Sequence, residues 1–239
     1  MLPHKVEPLL SVLVMGFLLG MKHATDADHL AAVATLATAE RSLARTVRLG
    51  LAWGTGHTLV LLVVGGAAVL LGGEFLPPRL SQYLEVAVGG MLVLLGANVL
   101  RRLVRQRLHL HAHRHGDGVV HLHVHSHAGE GAHALSAHDH AHAAALPRQA
   151  LLVGMVHGMA GSAALIVLSL AAAPSIGLAL AWIALFGAGS VAGMAVASAA
   201  VAIPLRVSAA ASLARRTWLT AAVGAATCVL GLYRIAAFA

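Results

Sequence analysis

Histidines and aspartates lie inside some of the most apolar parts of this chain, where polar side chains are costly. The segment Gly20–Val33 reads GMKHATDADHLAAV and contains His23, Asp26, Asp28 and His29. A charged side chain near the middle of a bilayer costs about 2.5–3.5 kcal/mol on insertion scales, and residues of this kind are usually functional. Imidazole and carboxylate groups without cysteine suit borderline divalent metals such as nickel, cobalt or zinc. This segment therefore predicts a metal site.

Two more histidines lie in other apolar runs. His57 stands in GTGHT and His157 in GMVHG, and the glycines beside them allow helices to approach closely. Each could by itself be a core histidine. Their matched placement in the second and fourth apolar runs favours one site shared with the first segment.

A helical wheel divides the first segment. His23, Asp26 and His29 fall within an arc of about 120°, whereas Asp28 points elsewhere. Two geometries follow from this division. Either Asp28 orients a metal ligand from behind, or the helix opens here and all four side chains converge.

An ion pair or a proton relay could also account for these polar groups. The ion pair would join Lys22 to Asp26 at i,i+4, with the histidines satisfied by neighbouring helices. The relay is plausible chemistry because chains of Asp and His also serve pumps and transporters. One lysine cannot neutralise two carboxylates and two imidazoles, which disfavours the ion pair, so the proton relay is the stronger alternative to the metal site.

The composition is that of a membrane protein. Of 239 residues, 59% are hydrophobic and 10% charged, and the mean hydropathy is +0.82, whereas soluble domains carry roughly 25% charged residues. The net charge of +7 resides in basic residues at the ends of apolar runs, which indicates membrane topology rather than a nucleic-acid partner. The single cysteine, Cys228, allows no intrachain disulfide.

Six apolar runs reach at least the roughly 20 residues that cross a bilayer. They are 9–39, 49–72, 81–103, 149–173, 176–204 and 217–238. The first is too long for one straight span and too short for two, and Asp26 and Asp28 interrupt it, so we predict a broken helix there. The fold class is therefore an all-α membrane protein of about six transmembrane helices.

Segments in the second half of the chain resemble segments in the first half, in the same order. Residues 16–21, 53–57 and 83–96 resemble 154–159, 186–190 and 218–231, at offsets of 138, 133 and 135. Three matches in register predict two inverted three-helix repeats, an arrangement that places a site near the midplane of secondary transporters. The expected organisation is a first repeat at 1–103, a connecting loop at 104–148 and a second repeat at 149–239.

The connecting loop is rich in histidine. Twelve of the 17 histidines lie between His109 and His142, many as His-x-His, a composition typical of metal binding. The loop lacks a core-forming pattern, so we predict that it is disordered. Arginines after the first, third and fifth runs place it in the cytoplasm and both termini outside, in a multi-pass protein of the cell (inner) membrane. Lys5 and Arg234 are exceptions to this charge pattern, and Glu85 is expected to reach water.

Three motifs resemble those of the nickel/cobalt transporter family. KHATDADH carries a His-x4-Asp-His pattern, GTGHT resembles the Gly-His-Ser/Thr motif of the following span, and GMVHGMAGSAAL is similar to the shorter urease-accessory and nickel/cobalt efflux members. The resemblance implies that His23, Asp28 and His29 carry selectivity, with Asp26 and His57 beside them. The short length and the histidine-rich loop resemble the efflux branch, which leaves the direction of transport open.

The sequence thus predicts transport of divalent nickel or cobalt rather than enzymatic activity. The predicted metal ligands are His23, Asp26, Asp28, His29, His57 and His157. The ion is the cargo and no further cofactor is expected, while the partners are the metal ion and the lipid bilayer, with a functional link to nickel-enzyme maturation. The alternative is a proton-coupled exporter of an anion or small solute. A membrane metalloenzyme is disfavoured, because four intramembrane histidines are few and no His-Glu-x-x-His pattern occurs.

Overall fold

Helices form every apolar segment of the described chain. The computed structural model describes residues 6–40, 42–71, 78–105, 108–114, 120–126, 145–172 and 175–238. It describes no side chains for the two strands or for 6–9, 78, 145–146, 161–172, 208–211 and 213. The elements are α1 (Val6–His23), α2 (Ala27–Ala37), α3 (Leu43–Leu70), α4 (Pro78–Arg105), β1 (Leu108–Arg114), β2 (Val120–Ser126), α5 (Ala145–Ala172), α6 (Ile176–Ala211) and α7 (Leu213–Phe238).

Four of these helices are long and apolar enough to cross a membrane. They are α3, α4, α6 and α7, whose apolar stretches have 25–32 residues. Helix α5 has 28 residues, but the side chains of its second half lie outside the description, and α1 and α2 are shorter apolar helices. The architecture is therefore that of a helical membrane protein, as the composition predicts.

The first apolar run is broken where its aspartates interrupt it. Helix α1 ends at His23 and α2 begins at Ala27, and Asp26 between them has an extended backbone. The turn is held by the backbone N–H of Thr25, which donates to the carbonyl of Lys22 at 2.8 Å, and by the N–H of Asp26, which donates to that of His23 at 3.0 Å. The break allows the side chains on either side of it to leave the geometry of one straight helix.

Helix α3 departs from α-helical geometry at one place. A π-helical turn, Leu61–Gly65, follows His57 by one turn. Turns of this kind occur frequently at functional sites, because the inserted residue turns the side chains near it relative to the rest of the helix.

The helices pack as pairs from the two halves of the chain. Helix α1 contacts α6, α3 contacts both α5 and α6, and α4 contacts α7. Glycines permit the closest approaches: a Cβ on Gly154 would lie 2.0 Å from the carbonyl oxygen of Trp53, and one on Gly20 would lie 2.0 Å from that of Phe186. Any side chain at these positions would push the paired helices apart.

Two short strands lie within the histidine-rich loop. Strands β1 and β2 pair antiparallel, with three histidine pairs directly opposite: His109 with His125, His111 with His123, and His113 with His121. The physical reason is the alternation of histidine with mostly apolar residues, which has the period of a strand and not of a helix. Residues 115–119 and 127–144 of the loop lie outside the described residues.

Candidate metal centre

Four helices bring five of the six predicted ligands together. His23 is the last residue of α1, Asp28 and His29 lie in the first turn of α2, His57 lies in α3 and His157 in α5. All except His23 are buried, and His57 is fully so. The helix opens between α1 and α2, as in the second of the two geometries, and Asp28 lies with the histidines, but Asp26 does not converge with them.

His29 occupies the centre of the cluster. Its ring centroid lies 4.3 Å from that of His23, 5.3 Å from that of His57 and 4.1 Å from that of His157. Trp53 of α3 closes one side, with its ring centroid 5.3 Å from that of His29. Four imidazoles from four helices thus meet, with the His29 ring at the centre.

The ligand atoms fall into two groups of three that share His29. Among the described residues, one group is His23, His29 and His57 and the other is Asp28, His29 and His157, and within each group the ligand atoms all lie within 4.8 Å of one another. Donor atoms bonded to one Ni²⁺ or Zn²⁺ at about 2 Å lie at most about 4 Å apart, so the upper bound of 4.8 Å is compatible with one ion in either group.

Asp28 is the anchor of the second group. Its Oδ1 accepts the backbone N–H of His29 at 2.9 Å and lies 2.9 Å from Nδ1 of the same residue, while its Oδ2 lies 3.2 Å from Nε2 of His157. A carboxylate beside a ring nitrogen fixes the imidazole's tautomer and orientation, so that the opposite nitrogen carries the lone pair. Asp28 therefore positions both histidines even where it binds no ion itself.

The remaining ring nitrogens of the three buried histidines have no hydrogen-bond partner within the part of the chain that the structure describes. They are Nε2 of His29, Nδ1 of His157 and both ring nitrogens of His57. Buried polar atoms normally have a partner, because burying one without a hydrogen bond costs free energy. Unpartnered imidazole nitrogens on neighbouring rings are donors that a divalent cation would satisfy.

Asp26, the sixth predicted ligand, lies outside both groups. Its side chain is 50% exposed, and its Oδ2 lies 2.8 Å from Nδ1 of His23. The break turns Asp26 toward the surface, opposite to the way it turns Asp28. Asp26 can orient His23, but it does not reach the buried cluster.

The site also includes two charged residues that sequence analysis did not assign to it. Arg234 of α7 contacts the carboxylates of both Asp28 and Glu85, the latter on α4. Glu85, which we expected to reach water, is 17% exposed and pairs with Arg234 instead. One signal was available beforehand: a lone arginine and a lone glutamate within separate apolar runs usually pair in the interior.

The fold and this site define a polytopic helical membrane protein with a buried His/Asp cluster suited to a divalent metal ion. Comparison with known proteins gives the family. The model of the NicO family, described as high-affinity nickel-transport protein, matches residues 9–235, and the chain belongs to this family. The urease accessory protein UreH of Bacillus sp. (strain TB-90) is 34% identical over 201 residues, which cover 84% of this chain and 80% of that protein. No solved structure matches the chain.

Membership of this family agrees with two predictions from the sequence. The motifs around His23 and His57 resembled nickel/cobalt transporters, and the matched family is a family of nickel transporters. The prediction that the chain is not an enzyme agrees with membership of a transport family as well.

Proposed function

We propose that this protein carries Ni²⁺ or Co²⁺ across the membrane through the buried cluster centred on His29. The observation that carries the proposal is the meeting of five ligand residues from four helices, with unpartnered ring nitrogens among them. The ion is the cargo, and no additional cofactor takes part. The ligands are His23, Asp28, His29, His57 and His157, with Asp26 supporting His23 from the outside.

The division into two groups suits transport better than storage. An ion must bind well enough to enter and weakly enough to leave, and adjacent sites that share a ligand meet both needs. His29 belongs to both groups, so an ion can pass from the group with His57 to the group with Asp28 without losing all its protein ligands at once. His29 is therefore the pivot of the proposed pathway.

The packing supports an inverted repeat of three spans per half. In this arrangement α1 and α2 form one broken span, and α3 to α7 form the other five. If α1, α3 and α4 correspond to α5, α6 and α7, then the contact of α1 with α6 has its counterpart in the contact of α5 with α3. The contacts of α3 with α6 and of α4 with α7 join corresponding helices. Such reciprocity is what a two-fold axis in the membrane plane requires.

A cavity lies close to the helix ends that flank the histidine-rich loop. It has a volume of about 290 Å³ and lies between α2, α4 and α5, with Thr35, Arg102 and Gln149 in its lining. Thr35 is six residues beyond His29 on α2, roughly 9 Å along the helix axis. Arg102 and Gln149 flank the 104–148 loop in sequence, so we assign this cavity as the vestibule on the loop's side.

The loop collects ions at that mouth. The register of β1 and β2 places six histidines at directly opposite positions, and opposite residues of an antiparallel pair lie on the same face of the sheet. The positive-inside rule puts this loop in the cytoplasm. A cytoplasmic metal-collecting loop favours efflux, and the similarity to a protein named as a urease accessory protein supports a link to nickel-enzyme maturation.

Transport into sealed vesicles tests the proposal. The purified protein is reconstituted in liposomes, and radioactive nickel flux is measured under imposed pH and voltage gradients, with His29→Ala as the comparison. We expect flux with the intact protein and none above background with the variant. His133→Ala, which removes one of the twelve loop imidazoles, is the matched control and should transport as the intact protein does.

The same preparation separates the alternative function. A proton-coupled exporter of an anion or small solute would show proton movement that does not depend on nickel, and its nickel flux would equal that of empty liposomes. That pair of results would contradict metal transport and favour a relay along Asp28, His29 and His157.

A further inference from the structure

Arg234 is a cation held within the second ligand group. It lies near the end of α7, its side chain is 25% exposed, and it contacts Asp28 with one amino group of its guanidinium and Glu85 with the other. A charged residue within a membrane span is retained where it pairs with another charge, because leaving it unpaired is expensive. Three helices, α2, α4 and α7, meet through this one side chain.

Asp28 has no acceptor position to spare in this arrangement. An ionised carboxylate offers about four lone-pair positions. Four groups contact the carboxylate of Asp28. Its Oδ1 contacts the backbone N–H and the Nδ1 of His29. Its Oδ2 contacts Nε2 of His157 and the guanidinium of Arg234. An ion can use Asp28 as a ligand only if one of these groups withdraws.

Arg234 is the group whose withdrawal a metal ion would drive. The histidine rings can serve as metal ligands themselves, whereas the guanidinium carries a permanent positive charge and has no lone pair to offer. A divalent ion and a guanidinium that share one carboxylate repel each other, and the low dielectric of the interior strengthens the repulsion.

We propose that Arg234 competes with the transported ion for Asp28, and that Glu85 retains Arg234 when the ion takes that carboxylate. The inference rests on the proposed function, because it needs an ion at the group of Asp28, His29 and His157. Arg234 is then a positioning residue that keeps metal binding weak enough for release. Glu85 keeps the displaced guanidinium paired, which lowers the cost of displacing it.

Substitutions of Arg234 and of Glu85 should change the affinity for the metal ion in opposite directions. Without the arginine, Asp28 is free for the ion and binding tightens. Without the glutamate, metal binding would leave the arginine unpaired, so binding weakens. A residue pair that merely stabilised the fold would give no such opposition, since loss of either partner breaks the same contact.

Cobalt titration of the full-length protein in detergent measures this effect. The d–d absorption of bound Co²⁺ reports the site, and loop histidines also bind cobalt, so every variant is titrated beside the same variant carrying His29→Ala. The difference between the two isolates the intramembrane site. The variants are Arg234→Gln, Glu85→Gln and the double variant. Arg215→Gln, an exposed arginine at the other end of α7, is the matched control.

We expect Arg234→Gln to lower the Kd for cobalt about tenfold and Glu85→Gln to raise it about tenfold. A tenfold change in Kd corresponds to about 1.4 kcal/mol, which loss of one hydrogen bond to a charged group can supply. The double variant should bind as tightly as Arg234→Gln, because Glu85 acts through the arginine. Arg215→Gln should bind cobalt as the unaltered protein does.

Two results would overturn the proposal while leaving the metal site intact: a Kd that moves in the same direction in both single variants, or an unchanged Kd in the double variant. The double variant removes one charge of each sign, so it serves as the test where Arg234→Gln does not fold. If the unaltered protein and its His29→Ala form bind cobalt identically, the metal site itself is contradicted, and the competition with it.

Discussion

The histidines of this protein belong to two regions that hold them by different means. The intramembrane cluster contains four histidines on four helices, and Asp28 and His157, which lie 3.2 Å apart, are 129 residues apart in the chain. The loop contains twelve histidines, and the six that the structure describes are paired by the register of one local hairpin. Long-range packing sets the first arrangement, and local alternation sets the second.

This difference predicts different responses to change. In the cluster each ligand occurs once, and its position depends on helices that contact each other across the whole fold. In the loop the ligands repeat, and loss of one leaves many others. The cluster should therefore be sensitive to single substitutions, and the loop should tolerate them.

Loss of a central ligand should have the largest effect. His29→Ala should lower nickel flux at least about 100-fold, because both ligand groups use His29. Substitution of a residue that only supports a metal ligand already lowers metal affinity or activity 10–100-fold. His23→Ala should also abolish flux, with membrane abundance near normal because little packing is lost. Flux into proteoliposomes and immunoblotting of membranes measure the two quantities. Normal transport by both variants would mean that the cluster is not the pathway.

Disruption of the packing that holds the cluster should come next. In Gly154→Ala the added Cβ would lie 2.0 Å from the carbonyl oxygen of Trp53, so α5 must move away from α3 and carry His157 with it. We expect a loss of about 1–3 kcal/mol in stability, typical of overpacking, together with a lower flux. Thermal unfolding in detergent and nickel flux measure both.

Gly90→Ala is the matched control for that substitution, because nothing lies within 4 Å of a Cβ at Gly90 on α4. It should leave flux and unfolding temperature unchanged. Equal effects of the two substitutions would show that helix propensity, and not the contact between α3 and α5, determines the response.

Deletion of the loop histidines should have a smaller effect and one of a different kind. Removal of 109–142 should change the nickel concentration for half-maximal flux several-fold, because a tethered set of ligands raises the local ion concentration. Maximal flux should stay within about twofold, since the cluster supplies the fixed ligands. Flux measured against nickel concentration distinguishes the two effects. Complete loss of flux would place the loop in the transport path.

The smallest effect is expected at the margin of the cluster. Asp26→Asn should lower flux less than about fivefold, because Asp26 is half-exposed and such ion pairs contribute about 0.2–1 kcal/mol. Asp28→Asn should lower it 10–100-fold, since Asp28 orients two buried histidines. Flux measurements on the two isosteric substitutions compare neighbours in sequence. A larger loss of flux in Asp26→Asn than in Asp28→Asn would contradict the assignment of Asp28 to the buried cluster and of Asp26 to its exposed edge.

Much of the fold was accessible to sequence reasoning because the bilayer imposes simple rules. Apolar runs of sufficient length predicted the helices, and two aspartates inside one run predicted its break between α1 and α2. The motifs around His23 and His57 indicated the class of ion before any geometry was known. Local composition suffices here, because the cost of exposing polar backbone to lipid leaves few alternatives to helices.

The membership of the site required the tertiary structure. A straight helical wheel grouped Asp26 with the histidines and separated Asp28, and the break reverses both placements. Arg234 looked like an exception to the charge pattern of the loops, and Glu85 looked like a residue at the surface. Their pairing depends on the contact between α4 and α7 and on the approach of α2 to both.

By itself, the sequence determined that this is a helical membrane protein with intramembrane imidazoles and carboxylates. Periodicity, length and composition are properties of short segments, and lipid converts them directly into helices. Only the tertiary structure decided which polar groups share one buried volume, since that depends on backbone directions at a break and on contacts between residues more than 100 positions apart. His29 became the centre of the site because four helices converge on it, and no local pattern distinguishes it from His23.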